Sequence, residues 1–200
     1  MKQPRIFIVP GRGNSPAGHW QSLIEQRFPN SVRVEQDDWH APSLVAWSKR
    51  VDDVLRDSDE PALVVAHSFG CLAVVEAQRT FNTPIGTALF VAPASPERFG
   101  LASADLQVAL PNPVVLVASD NDPWMPLDQA LCFGAAWGAR TLTLHNAGHI
   151  NIDSEHGPWP LGETLVRNLH ARLCDAQASR VPLRQSVAGT TASILAAALR

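Results

Sequence analysis

The junction between an apolar run at residues 62–66 and a helical run at residues 71–77 strongly constrains the fold of this chain. The first run predicts a strand that is buried on both faces, and the second predicts a helix. Ser68 lies on the sharp turn between them, where its hydroxyl would stand above the sheet edge beside the first N–H groups of the helix. The turn needs small residues two positions on either side, and Ala66 and Gly70 supply them, with alanine where the G-x-S-x-G pattern has its first glycine. The junction therefore predicts a nucleophilic serine at the edge of a buried sheet.

Composition excludes several classes of protein. The chain has 200 residues, of which 46% are hydrophobic and 18% charged, which suits one domain with a sizeable core. Its net charge of −3 leaves no basic surface for nucleic acid or for a membrane, and no apolar run is long enough to span a bilayer. The amino terminus lacks the pattern of a signal peptide. We expect a cytoplasmic protein that acts on a small molecule, with no indication of a protein partner.

The three cysteines, Cys71, Cys132 and Cys174, are odd in number and widely spaced. They predict buried free thiols in a reducing compartment, since neither a disulfide framework nor a zinc site fits that spacing.

Short apolar segments that predict strands alternate with segments that can form helices. The clearest helix covers residues 43–57, with Ser43 as its cap. This alternation predicts an α/β fold in one domain, with a mostly parallel sheet and helices on both faces. We place that domain at residues 1–175 and a C-terminal extension, as a helix, an arm or a partly disordered tail, at residues 176–200. The predicted strands are 5–9, 31–34, 61–66, 87–91, 113–118 and 140–144.

Residues that can complete a catalytic triad follow two later strands, in the order serine, acid, histidine. Asp122 is favoured as the acid, while Asp120 suits an Asx-type turn. His149 is favoured as the base because Ala-Gly precedes it, and His145 suits a surface position or a hydrogen bond beside the strand. His67 should leave the turn in a different direction from Ser68, which suits packing or a structural hydrogen bond.

An oxyanion hole needs two N–H donors. We expect one from Phe69 and the other from the loop after the first strand, from Arg12 or Gly13. The glycines of that loop also begin like a dinucleotide-binding fingerprint, but Pro16 stands at the third glycine position.

Aromatic residues occur on the same loops. Trp20, Trp39 and Trp124, together with Phe69, suggest a small apolar pocket for an acyl or alcohol group, although core packing is the commoner fate of a single tryptophan.

His40 follows the acidic residues of the segment 37–38, but the spacing fits a solvated loop better than a metal site. We expect no metal.

The combination of these motifs resembles the family of small serine hydrolases similar to retinoblastoma-binding protein 9 and bacterial YdeN. The resemblance covers residues 5–172 and implies a compact α/β-hydrolase with little or no cap domain. It also implies the triad of Ser68, Asp122 and His149, activity on esters or related acyl compounds, and no cofactor. Ala66 and the C-terminal segment depart from the family pattern. The motifs that carry the resemblance are residues 10–15, His19-Trp20, Asp38-Trp39 with Pro42 and Trp47, residues 67–71, residues 122–126 and residues 148–151.

We therefore expect a serine hydrolase, and we favour a carboxylesterase that cleaves a small ester through an acyl-enzyme. A peptidase or an acyltransferase would use the same residues. An interaction module that keeps an intact or vestigial site is the alternative from a different class of protein.

Overall fold

A computed structural model describes residues 3–58 and 61–180. The six strands in this part of the chain are β1 (Ile6–Val9), β2 (Ser31–Arg33), β3 (Ala62–His67), β4 (Ile85–Val91), β5 (Val114–Ser119) and β6 (Arg140–Leu144). The α-helices are α1 (Trp20–Arg27), α2 (Leu44–Arg56), α3 (Phe69–Phe81), α4 (Ser103–Leu106), α5 (Leu127–Ala136) and α6 (Pro160–Arg180). Two short 3₁₀ turns cover Pro96–Phe99 and Ile152–Ser154.

The strands form one sheet in the order β2-β1-β3-β4-β5-β6, and every pairing is parallel. Because neighbouring side chains of a strand point to opposite faces, β1 sends Phe7 to one core layer and Ile8 to the other. The layer around Phe7 also holds side chains of α2, α3 and α5, and the layer around Ile8 holds those of α1 and α6. The sheet is therefore covered on both faces, which is why its central strands are almost wholly apolar.

This architecture confirms the predicted parallel α/β fold, and all six predicted strands are present with small shifts at their ends. The predicted helix at 43–57 is α2, whose cap Ser43 accepts the N–H of Ala46 at 3.4 Å. The last helix, α6, continues to Arg180, five residues beyond the predicted domain boundary. Residues 181–200 lie outside the described residues, so the proposed extension stays a prediction there.

The prediction of buried thiols is correct for only one cysteine. Cys71 is buried in α3, but Cys174 is half-buried and Cys132 is exposed on α5. The error at Cys132 arises because its position on α5 turns away from the sheet, whereas Phe133 beside it is buried. None of the helices in the described part of the chain is long and apolar enough to cross a bilayer.

Candidate active site

Ser68 occupies a strained backbone conformation between β3 and α3. Its φ of 54° and ψ of −127° lie in a region that residues with a side chain rarely adopt. Its N–H donates to the carbonyl oxygen of Val91 at 3.1 Å, which ties the turn to the end of β4. This is the sharp strand-to-helix turn that the sequence predicts.

Two glycines allow the first loop to lie against this turn. A Cβ at Gly70 would collide with the carbonyl oxygens at the end of β1, and a Cβ at Gly11 would lie 2.6 Å from the Cβ of Ser68. Ala66, at the first small-residue position, is fully buried between β1 and β4. Its methyl group fits there, so the alanine preserves the turn.

Ser68, His149 and Asp122 form one hydrogen-bonded chain. The Ser68 hydroxyl lies 2.9 Å from His149 Nε2, and His149 Nδ1 lies 2.9 Å from each carboxylate oxygen of Asp122. The His149 and Asp122 side chains are only 8% and 3% exposed. A carboxylate beside Nδ1 holds the proton there and leaves the Nε2 lone pair free to accept the hydroxyl proton. The arrangement can therefore activate Ser68 as a nucleophile.

The end of β5 and the loop after it hold the loop after β6 through a series of hydrogen bonds. Three consecutive side chains, from the last residue of β5 onwards, accept three consecutive backbone N–H groups of the second loop, and the next residue on each side contributes the Asp122–His149 contact. The three backbone bonds are Asp120 Oδ1 to Asn146 N at 2.8 Å, Ser119 Oγ to Ala147 N at 3.1 Å and Asn121 Oδ1 to Gly148 N at 2.7 Å. The position of His149 is thus fixed by backbone contacts as well as by its own side chain.

Two buried N–H donors hold the same loop from its other side. His67 Nε2 donates to the His149 carbonyl oxygen at 2.9 Å, and Trp20 Nε1 donates to that of Ile150 at 2.8 Å. Burial lowers the pKa of His67 well below its usual value, which keeps the ring neutral. Ile150 has a φ of 48°, which strains a β-branched residue and needs support from its surroundings.

The placement of Trp20 corrects the prediction that it lines a substrate pocket. It is 1% exposed and belongs to the core beneath the loop, with its ring 5.1 Å from that of Trp159. Its apolar ring favours the core on the α1 and α6 face of the sheet, and its N–H reaches a backbone acceptor there. Trp39 is half-buried and packs its ring 5.4 Å from that of Trp47, and it is not among the residues that line the cavity that Ser68 opens into. Of the three predicted pocket tryptophans, only Trp124 lines that cavity.

The loop after β1 offers one donor for an oxyanion. The N–H of Gly13 already donates to the carbonyl oxygen of Trp39 at 2.8 Å, so Gly13 does not fit the predicted donor role. The N–H of Arg12 has no acceptor in the described part of the chain. Phe69 is the first residue of α3, where a backbone N–H has no partner within the helix. Arg12 and Phe69 are therefore the donors that remain beside Ser68.

Ser68 opens into a cavity of about 430 Å³. Its apolar wall includes Phe99, Trp124 and Ile152, and the guanidinium of Arg98 stacks over Trp124 at 5.1 Å from the ring centre. The sequence did not single out Phe99 or Ile152, although both follow strand ends, which is the available signal. The full lining is Arg12, Gly13, Asn14, Pro16, His19, His40, His67, Ser68, Phe99, Trp124, His149, Asn151, Ile152 and Asp153.

The remaining candidates make local contacts that do not involve Ser68. Asp120 contacts His145 Nδ1 at 2.6 Å on the surface, and Asp38 Oδ1 accepts the N–H of His40 and of Ala41 in an Asx turn. Within residues 3–58 and 61–180, no group of three or more potential ligands is placed to hold a metal ion.

Comparison with known proteins identifies the family. The profile of the serine hydrolase family matches residues 6–168. A protein from Pectobacterium atrosepticum described as a YdeN-like hydrolase is 32% identical, with a TM-score of 0.81 over 86% of this chain and 93% of its own. The ydeN gene product of B. subtilis is 17% identical, with a TM-score of 0.73 over 84% of this chain and 100% of its own. A search of curated proteins returned no match.

A more distant match has the same fold. Est1E from Butyrivibrio proteoclasticus, solved with ferulic acid, is 16% identical, with a TM-score of 0.65 over 90% of this chain and 91% of its own. These matches confirm the predicted α/β-hydrolase fold in a single domain. The chain belongs to the serine hydrolase family and is a hydrolase.

Proposed function

We propose that the protein is a carboxylesterase that cleaves a small ester with Ser68 as nucleophile, His149 as general base and Asp122 as the acid that orients it. The observation that carries the proposal is the continuous hydrogen-bonded chain from Asp122 through His149 to the Ser68 hydroxyl. Its members lie at the ends of β3, β5 and β6, which parallel pairing brings to one edge of the sheet.

Acylation begins when Ser68 Oγ attacks the ester carbonyl carbon and His149 Nε2 takes the hydroxyl proton. The carbonyl oxygen becomes an oxyanion, which the N–H groups of Phe69 and Arg12 stabilise. Asp122 stabilises the imidazolium without taking its proton. The C–O bond to the alcohol then breaks, His149 gives its proton to the departing oxygen, and the acyl group stays on Ser68.

Deacylation repeats the same steps with water. His149 removes a proton from the water, whose oxygen attacks the acyl carbon, and the oxyanion forms again in the same place. Collapse of this intermediate returns the proton to Ser68 Oγ and releases the carboxylic acid. No cofactor is needed for either half of the reaction.

The walls of the cavity support a small substrate with an apolar part. Phe99, Trp124 and Ile152 offer apolar surface, and a volume of about 430 Å³ falls within the range of small-molecule sites. The fold is shared with Est1E, whose structure contains ferulic acid, and with the carboxylesterase CesB from Bacillus subtilis. We also expect a cytoplasmic location and a small ester or acyl compound as the substrate, with no indication of a protein partner.

Labelling with a fluorophosphonate probe tests the proposal. The wild-type protein should react at one serine, and Ser68→Ala should neither react nor hydrolyse a p-nitrophenyl ester. Ser119→Ala is the matched control and should still react with the probe at Ser68. Ser119 supports the loop that carries His149 through a side-chain hydrogen bond but does not contact His149 itself. A folded wild-type protein that fails to react would favour an interaction module. Labelling of Ser68→Ala would show that the reactive serine is a different residue.

A comparison of substrates distinguishes an esterase from a peptidase or an acyltransferase, which would use the same residues. An esterase should release acid from small esters at a higher kcat/KM than amine from the matched amides. Preferred amide cleavage would indicate a peptidase, and preferred transfer of the acyl group to an added alcohol over water would indicate an acyltransferase.

A further inference from the structure

His19 is a buried histidine beside the catalytic residues that the proposed reaction does not use. It is 4% exposed and caps the start of α1, where its Nδ1 accepts the N–H of Gln21 at 3.2 Å. Its ring centre lies 5.4 Å from that of Trp20 and 5.1 Å from that of His67. The hydrogen bond and these two rings fix the orientation of the imidazole.

The protonation state of His19 follows from these contacts. Nδ1 accepts a hydrogen bond, so the single proton of the neutral ring lies on Nε2. Burial, together with the positive charge of Arg33 and the nearby His149, lowers the pKa of His19 to about 4. The ring is therefore neutral at neutral pH and offers one N–H donor at a fixed place.

This donor has no hydrogen-bond partner in the described part of the chain. No hydrogen bond to His19 Nε2 occurs among residues 3–58 and 61–180, and the atom is not one of the side-chain polar atoms that are sealed in the interior without a partner. His19 lines the cavity that also contains Ser68 and His149. The free N–H of Nε2 therefore faces the cavity.

We propose that His19 Nε2–H donates a hydrogen bond to a second oxygen of the substrate, so that the substrate class is an ester with an ether, hydroxyl or carbonyl oxygen near the scissile bond. This inference rests on the proposed esterase function. A purely alkyl substrate would cover the donor and leave it unpaired, which costs free energy at a buried site. The donor is fixed before the substrate binds, so little entropy is lost when the bond forms.

Two variants separate the two roles of His19, which caps α1 through Nδ1 and offers a donor to the cavity through Nε2. In His19→Asn, the amide oxygen can replace Nδ1 as the helix cap, since asparagine is among the best capping residues, but the side chain is too short to bring a donor to the position of Nε2. In His19→Gln, the longer side chain can bring an amide N–H to that position while the cap is weakened.

The substrates are two pairs of esters in which one CH₂ is replaced by oxygen. The acyl pair is p-nitrophenyl butyrate and p-nitrophenyl methoxyacetate, and the alcohol pair is butyl acetate and 2-methoxyethyl acetate. Intrinsic reactivity differs within a pair, so the quantity compared is the kcat/KM ratio of each variant to that of the wild type. The pair that responds shows on which side of the scissile bond the second oxygen lies.

We expect His19→Asn to lower kcat/KM by about three- to tenfold for the oxygen-bearing ester of one pair and by less than about twofold for its alkyl partner, as for the loss of one neutral hydrogen bond. His19→Gln should retain most of the wild-type preference for the oxygen-bearing ester, although its melting temperature should be lower. An equal loss on both esters of both pairs, or an unchanged preference in His19→Asn, would overturn the inference while leaving the esterase function in place. Failure of the wild-type protein to hydrolyse any of the four esters or to be labelled at Ser68 would instead contradict the proposed function.

Discussion

Two histidine–aspartate pairs join the same two loops, and they differ in what surrounds them. In the first, His149 and Asp122 are 8% and 3% exposed, and His149 also contacts the Ser68 hydroxyl. In the second, His145 and Asp120 are 82% and 31% exposed, although their closest approach of 2.6 Å is shorter. Contact between an imidazole and a carboxylate therefore does not by itself distinguish a candidate catalytic pair.

The difference lies in burial and in the third partner. A carboxylate in a site that excludes water interacts strongly with the imidazolium that forms during the reaction, whereas solvent screens the exposed pair. The exposed pair has a structural role, because Asp120 also accepts the N–H of Asn146 and so helps to position the loop that carries His149.

The largest expected effect comes from removing the charge of each aspartate in turn. Asp122→Asn should lower kcat by about 10⁴-fold, because an amide at this position no longer holds the proton of His149 on Nδ1. Asp120→Asn should lower kcat by less than about tenfold, because it disturbs only the support of the loop. Steady-state hydrolysis of a p-nitrophenyl ester measures kcat for both variants. Circular dichroism spectra check that each variant is folded.

This experiment also tests the assignment of the acid. If the larger loss follows Asp120→Asn, the exposed pair is the functional one and the proposed triad is wrong. Equal losses would mean that both aspartates act only by holding the loop.

A smaller effect is expected from the donors beneath the buried pair. Trp20→Phe keeps an aromatic ring in the core but removes the N–H that donates to the Ile150 carbonyl oxygen. The unpaired carbonyl should lower the free energy of unfolding by about 1–3 kcal/mol. It should also lower kcat by about tenfold, because His149, one residue earlier, is then held less firmly. Urea unfolding and ester hydrolysis measure the two effects.

Trp159→Phe is the matched control. Trp159 packs against Trp20, but its ring nitrogen makes no hydrogen bond to any of the described residues. Its kcat should change by less than about threefold. A similar loss of kcat in both variants would show that ring packing, and not the hydrogen bond to Ile150, supports the loop.

The sequence predicts most of the fold because the buried strands are so distinctive. β3 and β5 are continuous apolar runs up to their last residue, as a sheet covered on both faces requires, and each is followed at once by a turn with polar residues. The same reasoning predicts which loops share an edge of the sheet, and it brings Ser68, Asp122 and His149 together before any distance is known.

The parts of the site that the sequence does not predict depend on long-range backbone contacts. Gly13 is a reasonable oxyanion donor until the carbonyl oxygen of Trp39, 26 positions later, is found to accept its N–H. Trp20 follows a loop at the correct edge of the sheet, but only the packing of α1 and α6 shows that its ring lies in the core. His19 belongs to a motif of the family resemblance, but its position in the lining of the cavity follows from the packing of its neighbours and not from that motif.

The smallest expected effect is on the free energy of unfolding, to which the exposed pair of His145 and Asp120 contributes. The N–H of Asn146, and then His145, lower the pKa of Asp120 below its usual value, so the folded state favours the charged carboxylate. This contribution is present above the ordinary aspartate pKa of about 3.9 and is lost as the pH falls through the lower folded-state value. Asp120→Asn should therefore unfold at a slightly lower urea concentration than the wild type at pH 7, and the difference should shrink as the pH is lowered towards about 3. A difference that grows in acid would show that Asp120 does not stabilise the fold as a carboxylate.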